Sequence, residues 1–257
     1  PNARGEKRVK PVAHFHNFAD SQDPNGLPKD WKTWSARTEI APHFSLDTHV
    51  SRQGRGSLCI SGGNNPASHG AWRRTVSGVE AGKSYRFVAY YKAKEVPFER
   101  RSISAKLMWE DNKGEPLRPP DYVLDSGKEG DWTRLEYVTS APENTKQVTL
   151  ELIFGWAGKG TVWWDDVQLL EEPNPKNRIV RAMTVFNKPD DILPSKERVE
   201  VFCRMVEAHK SEKPDIVCLP EGITAVGTGK NYVEVSESVP GPTTARLGRL
   251  AKELHAY

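Results

Sequence analysis

Val148-Thr149-Leu150-Glu151-Leu152-Ile153-Phe154 places an apolar side chain at 148, 150, 152 and 154, the two-residue period of a strand with one face on a core. The period recurs upstream in Tyr85, Phe87, Ala89 and Tyr91, and again in Ile103, Ala105, Leu107 and Trp109. Turn residues punctuate these runs. Glu80-Ala81-Gly82-Lys83 precedes one and Asp111-Asn112-Lys113-Gly114 follows another, each with a glycine free to take the positive φ of a tight turn. No helical period interrupts the series from about Val12 to Leu170. The spacing predicts an antiparallel β-sandwich over residues 11–172 and a mainly β fold class.

Composition sets the limits. A chain of 257 residues accommodates one large domain, or a domain and part of another. With 37% hydrophobic and 28% charged residues, it has the means to bury a core. The net charge is +3, yet residues 1–10 alone carry four basic side chains and one acidic one, which predicts a flexible basic tail and a nearly neutral remainder. Nucleic-acid binding is therefore not expected, because it needs a clustered basic face. No apolar run approaches the roughly 20 residues of a membrane span, and no apolar signal core opens the chain; the compartment stays open. Cys59, Cys203 and Cys218 are too few and too scattered for a disulfide scaffold or a zinc site, and the last two read as buried small hydrophobes.

The character changes at Glu171-Glu172-Pro173-Asn174-Pro175-Lys176-Asn177, where two prolines and polar neighbours mark a linker at 173–177. Beyond it, Ile179 to Phe186 reads as a strand. Val199, Phe202, Cys203 and Val206 recur at helical spacing behind Ser195, a candidate N-cap. Ile216-Val217-Cys218-Leu219 is a short continuous apolar run, as expected of a strand buried on both faces, and Leu247, Leu250, Ala251 and Leu254 mark a second amphipathic helix. The order is βαβα, with too few strands for a stable α/β domain. The expectation is that residues 178–257 are part of something longer.

Pro214-Asp215-Ile216-Val217-Cys218-Leu219-Pro220-Glu221-Gly222 sets a carboxylate just past a strand's carboxyl end, where α/β sheets gather ligands. Burial there would raise its pKa and suit it to proton transfer. The strand, long helix and Pro-Glu ending, followed by Val239-Pro240-Gly241-Pro242-Thr243 and Leu247-Gly248-Arg249-Leu250-Ala251-Lys252-Glu253-Leu254, resemble the opening of the nitrilase (carbon-nitrogen hydrolase) superfamily and its αββα sandwich. That resemblance implies amide-type chemistry through a glutamate, a lysine and a cysteine, without a cofactor, and a parent protein that pairs through a helical face as a homo-oligomer. Glu221 stands in the position of the family's catalytic glutamate. Neither Lys230 nor Cys218 fits the other two motifs, so residues 1–257 alone are not expected to turn over a small amide-type substrate.

Within the sandwich, Gly54-Arg55-Gly56-Ser57-Leu58-Cys59-Ile60, then Val79-Glu80-Ala81-Gly82-Lys83-Ser84-Tyr85-Arg86-Phe87, then Val162-Trp163-Trp164-Asp165-Asp166-Val167-Gln168-Leu169 resemble the jelly-roll, galactose-binding-like carbohydrate-binding modules. The resemblance implies a glycan partner that stacks on exposed aromatic rings. Trp72, Trp109 and Trp156 are the candidates, although Trp109 lies in the apolar phase of its strand, which also suits a core residue. It further implies a structural calcium, with Asp165 or Asp166 beside an early-strand oxygen as ligands. The alternative to an enzyme is thus a non-catalytic carbohydrate-binding or protein-interaction module with a structural C-terminal segment.

Overall fold

A computed structural model describes residues 10–174 and 179–257 of the chain. Residues 1–9 of the expected tail, 175–177 of the expected linker and residue 178 of the expected α/β segment lie outside that description, while Lys10 opens the first strand rather than ending a tail. The chain divides into two compact units, Pro1–Pro175 and Lys176–Tyr257.

Among the described residues the first unit contains twelve strands: β1 (Lys10–Phe15), β2 (Lys32–Trp34), β3 (His43–Asp47), β4 (Ser57–Ser61), β5 (His69–Ser77), β6 (Ser84–Lys94), β7 (Ile103–Glu110), β8 (Asp121–Val123), β9 (Asp125–Glu129), β10 (Trp132–Ser140), β11 (Gln147–Gly155) and β12 (Thr161–Glu172), with two short helical turns, Thr38–Ile40 and α1 (Glu99–Ser102). They form two antiparallel sheets. One has the order β3-β4-β12-β6-β10-β9 with β1 also on β12, and the other the order β2-β5-β11-β7-β8. The inward phases of both sheets meet in a single core: Ile60, Phe87, Leu135 and Trp164 from the first face Trp72, Leu107, Trp109 and Leu152 from the second. This is the β-sandwich that the alternation predicts.

Register decides which tryptophans enter that core. Trp72 lies directly opposite Leu152, and Trp109 opposite Val148, so each shares the face of its apolar partner. Both are fully buried, and neither is the exposed stacking ring expected from the sequence. Their indole N–H groups are bonded inside the core, Trp72 Nε1 to the Cys59 carbonyl at 3.2 Å and Trp109 Nε1 to Asp121 Oδ2 at 2.8 Å, as buried polar atoms require.

On the outside of the larger sheet, a bulge in β12 between Asp165 and Gln168 turns two carboxylates away from the core. The Arg52 and Gln53 backbone N–H groups donate to Asp165 Oδ2, and the Asp166 N–H donates to Asp165 Oδ1 at 2.6 Å. Burial pushes the Asp165 carboxyl above its usual pKa, against the pull of those donors. Asp166 is held by Arg52 Nη1, by Gln168 Nε2 at 2.7 Å and by His14 Nε2 at 2.7 Å. The same guanidinium lies 3.5 Å above the Tyr90 ring, and its Nη2 donates to Glu129 Oε2 at 2.9 Å.

These residues do not fit the expected calcium. The Arg52 guanidinium sets a positive charge against Asp166, and every carboxylate oxygen of the pair already has a protein partner. Among the described residues, no group of three or more His, Cys, Asp and Glu side chains is arranged to hold a metal.

The second unit contains β13 (Ala182–Thr184), α2 (Ser195–Ala208), β14 (Ile216–Cys218) and α3 (Pro242–Leu254), the two strands paired in parallel. Val199, Cys203 and Val206 of α2 and Leu250 of α3 pack with Met183 and Val217. Arg246 of α3 donates to Glu200 at 2.8 Å and to Glu207 at 2.6 Å, tying the helices together. Three expectations are corrected here. Ser195 is the first helical residue and makes no capping bond; Pro194 holds the cap position. The strand at Ile179 to Phe186 shrinks to three residues, leaving both of its expected ends exposed. And β14 is covered on one face only, because both helices pack on the Val217 side, so Ile216 and Cys218 are exposed rather than buried.

Replacing Arg52 with Met leaves the buried Asp166 carboxylate with only His14 and Gln168 and is expected to cost on the order of 3 kcal/mol, lowering the melting temperature by about 6–12 °C. The melting temperature of the unaltered protein is expected to be the same in calcium as in a chelator. Calorimetry of both proteins in both buffers checks the pair of outcomes.

Candidate functional site

Strands bury every second residue, and the set left over on the smaller sheet forms an organised face. Pairing aligns Lys32 with Arg73, Arg73 with Glu151, Glu151 with Lys106 and Lys106 with Tyr122, so one residue from each of the five strands lies in a single row across the sheet. The adjacent row contains Trp34, Ala71, Ile153 and Ser104. Directly opposed residues share a face, which assigns the whole array to the outside of the sandwich.

Glu151 is fully buried at the centre of its row, yet it is a charged residue between two cations. Arg73 Nη2 forms a short ion pair with its Oε1, and Lys106 Nζ lies 2.6 Å from its Oε2. A carboxylate taken out of water in this way is tolerated only when paired. The pairing has a geometric result. It draws the Arg73 guanidinium over the Trp34 ring at 4.1 Å. It also holds the Lys106 ammonium 6.0 Å from the Trp34 ring and 5.7 Å from the Tyr122 ring. Two aromatic rings therefore flank one patch of fixed N–H donors, and Tyr122 is 60% exposed.

A third ring extends the array. Trp156, directly after β11, is 53% exposed and takes φ = 56°, a left-handed conformation that a bulky side chain rarely adopts. Its ring lies 5.2 Å from His69, which in turn meets Trp34 edge-on at 6.0 Å. Gly155 makes this possible: a Cβ there would stand 2.7 Å from His69 Cδ2. Burial, then the charge of Lys106, pushes the His69 pKa below its usual value, so the ring is neutral at neutral pH and stacks as an aromatic. An open groove of about 630 Å³ runs beside Trp156, bordered by Glu95, Val96, Pro97 and Lys159.

Of the residues expected from sequence, this face contains only Trp156. Trp72 and Trp109 belong to the core, and Asp165 and Asp166 to the clamp on the other sheet. Glu221 lies past the carboxyl end of β14 as expected, but it is exposed rather than buried, so the burial that was to prepare it for proton transfer is missing. The sequence reading missed Trp34, Arg73, Lys106, Tyr122 and Glu151. A signal was present in the other phase of the very strands that reveal the core: Lys106 sits between Ala105 and Leu107, and Glu151 between Leu150 and Leu152.

Comparisons with known proteins bear on the first unit. A family model described as a carbohydrate binding domain matches residues 10–159. No curated protein matches the chain. Among solved structures, the enzymatically active domain of tailspike protein 4 from bacteriophage CBA120 is 10% identical, with a TM-score of 0.49 over 62% of this chain and 22% of that one; this chain thus spans about a fifth of its length. The CBM22-1 xylan-binding domain of Paenibacillus barcinonensis Xyn10C is 13% identical, with a TM-score of 0.43 over 65% of this chain and 97% of that one. The CBM22-1-GH10 modules of Clostridium thermocellum xylanase 10B are 14% identical, with a TM-score of 0.42 over 82% and 38%. The nitrilase resemblance of residues 178–257 finds no support in these comparisons. The family model spans more than half of the chain and covers the strands that build the aromatic face, and the chain belongs to the carbohydrate binding domain family.

Proposed function

We propose that the first unit is a non-catalytic module whose five-stranded sheet binds a glycan on its outer face. The observation that carries this reading is the pair of rings, Trp34 and Tyr122, flanking N–H donors that a buried carboxylate holds in place. A sugar ring offers an apolar face to stack on an indole or phenol, and equatorial hydroxyls that accept from fixed donors. Trp156 extends the stacking surface toward the groove at its side, which suits a chain of several sugars rather than a single one. Donors fixed in advance lower the ordering cost of binding.

A second reading attaches to the second unit, as the opening of a carbon-nitrogen hydrolase domain. What favours it is the parallel pairing of β13 and β14 around α2, with Glu221 on the turn beyond β14. Under this reading the longest natural form of the protein releases ammonia from small amides, and Glu221→Gln abolishes the release. A natural protein that releases none overturns it.

Trp34→Ala and Tyr122→Ala are each expected to weaken glycan binding by about three- to tenfold with little change in melting temperature. Calorimetric titration against a panel of plant and bacterial polysaccharides reads the effect. Full affinity in both variants would place the site elsewhere. The face also has a pH signature. Because the His69 pKa is depressed in the folded state, the unfolded chain takes up that proton first as pH falls below about 6.5. This contribution to stability is complete above that pH and declines below it. Urea midpoints at neutral and mildly acidic pH are expected to differ less for His69→Gln than for the unaltered protein.

A further inference from the structure

We infer that the glycan taken by this face is acidic, bearing carboxylates along its chain; the inference rests on the glycan-binding reading and specifies its ligand. Charge is the starting point. Residues 11–257 contain equal numbers of acidic and basic side chains, so a local excess of one sign is a property of the place and not of the protein. The central row contains Lys32, Arg73 and Lys106 against the single carboxylate of Glu151. Lys32 and Arg73 are directly opposed on neighbouring strands, an arrangement of like charges that costs stability and that nothing in the fold requires. At the Trp156 end of the array the Arg101 guanidinium lies 6.0 Å from the ring, and the groove beside it is bordered by Lys159 and Glu95, two cations against one carboxylate.

The cations are also not used up. Among the described residues, the salt bridges of Arg73 and Lys106 all go to Glu151. A guanidinium has five N–H donors and an ammonium three. Glu151 thus acts as a positioning residue: it holds two cations side by side between Trp34 and Tyr122 and neutralises only one of them. A neutral sugar chain would leave that surplus charge unpaired under its own surface. A carboxylate on the sugar ring neutralises it and matches the planar fork of the arginine.

The test compares polymers that differ only in their acid groups. Polygalacturonate and glucuronoxylan are titrated against the protein, each beside its own carboxyl-reduced form. The acid form of the polymer that binds is expected to bind about tenfold or more tightly than its reduced form, with the advantage shrinking as salt rises to about 0.5 M. Lys106→Gln is expected to remove most of that advantage. Because it also unpairs Glu151, Lys32→Gln is measured beside it; Lys32 is exposed, the ion pairs of Glu151 among the described residues are with Arg73 and Lys106, and the loss of Lys32 is expected to cut the advantage about two- to fivefold. Equal affinity for an acid polymer and its reduced form, or an advantage unchanged in Lys32→Gln, overturns the inference and leaves the glycan-binding reading standing. Failure to bind any polymer, acidic or neutral, across this set and the wider panel overturns that reading itself.

Discussion

A β-strand can give only every second side chain to a core. In a two-sheet sandwich this constraint fixes two surfaces at once, since the residues that fill the interior determine which residues are left outside and beside whom they stand. The first unit depends on it throughout. Val148, Leu150, Leu152 and Phe154 meet Leu107, Trp109 and Trp72 inside, and the same register brings Arg73, Glu151 and Lys106 into one line outside. Slipping β11 by one residue would carry Glu151 into the core and dissolve the row. Core and candidate site are two faces of one register.

What the outer face adds is an electrostatic arrangement that would be poor economy if stability were the only requirement. A buried ion pair costs much of what its attraction returns, and an apolar residue at 151 would serve the sheet as well. Here the carboxylate sets the direction of two long, flexible cations and lays one of them across Trp34. The larger sheet uses the same device for another end. There Arg52 joins Asp166, Glu129 and the Tyr90 ring across a β-bulge, so an arginine supplies internally the positive charge that a metal would bring. Its carboxylates are closed off by protein donors, whereas the cations of the smaller sheet keep donors to spare.

The two units also differ in how far each satisfies its own hydrophobic pattern. In the first, the core takes up most of the inward apolar phase of both sheets, with Tyr137 at the margin left exposed. In the second, α2 and α3 cover one face of β13 and β14 and leave Ile216 and Cys218 on the other. A continuous apolar run was expected to be buried on both sides, and the run by itself could not show that only one side has a covering layer.

The sequence by itself determined the β-sandwich, because alternation over Tyr85–Tyr91, Ile103–Trp109 and Val148–Phe154 leaves no other way to bury those side chains. It determined the α2 and α3 helices through their spacing. It could not say that Trp72 joins the core, since a lone tryptophan fits either phase until its partner, Leu152, is known. Nor could it assemble Trp34, Arg73, Lys106, Tyr122 and Glu151, which come from five strands spread over residues 32–155. Only pairing between strands distant in sequence sets which polar residue stands next to which, so the row, its buried carboxylate and its surplus of positive charge exist only in the tertiary structure.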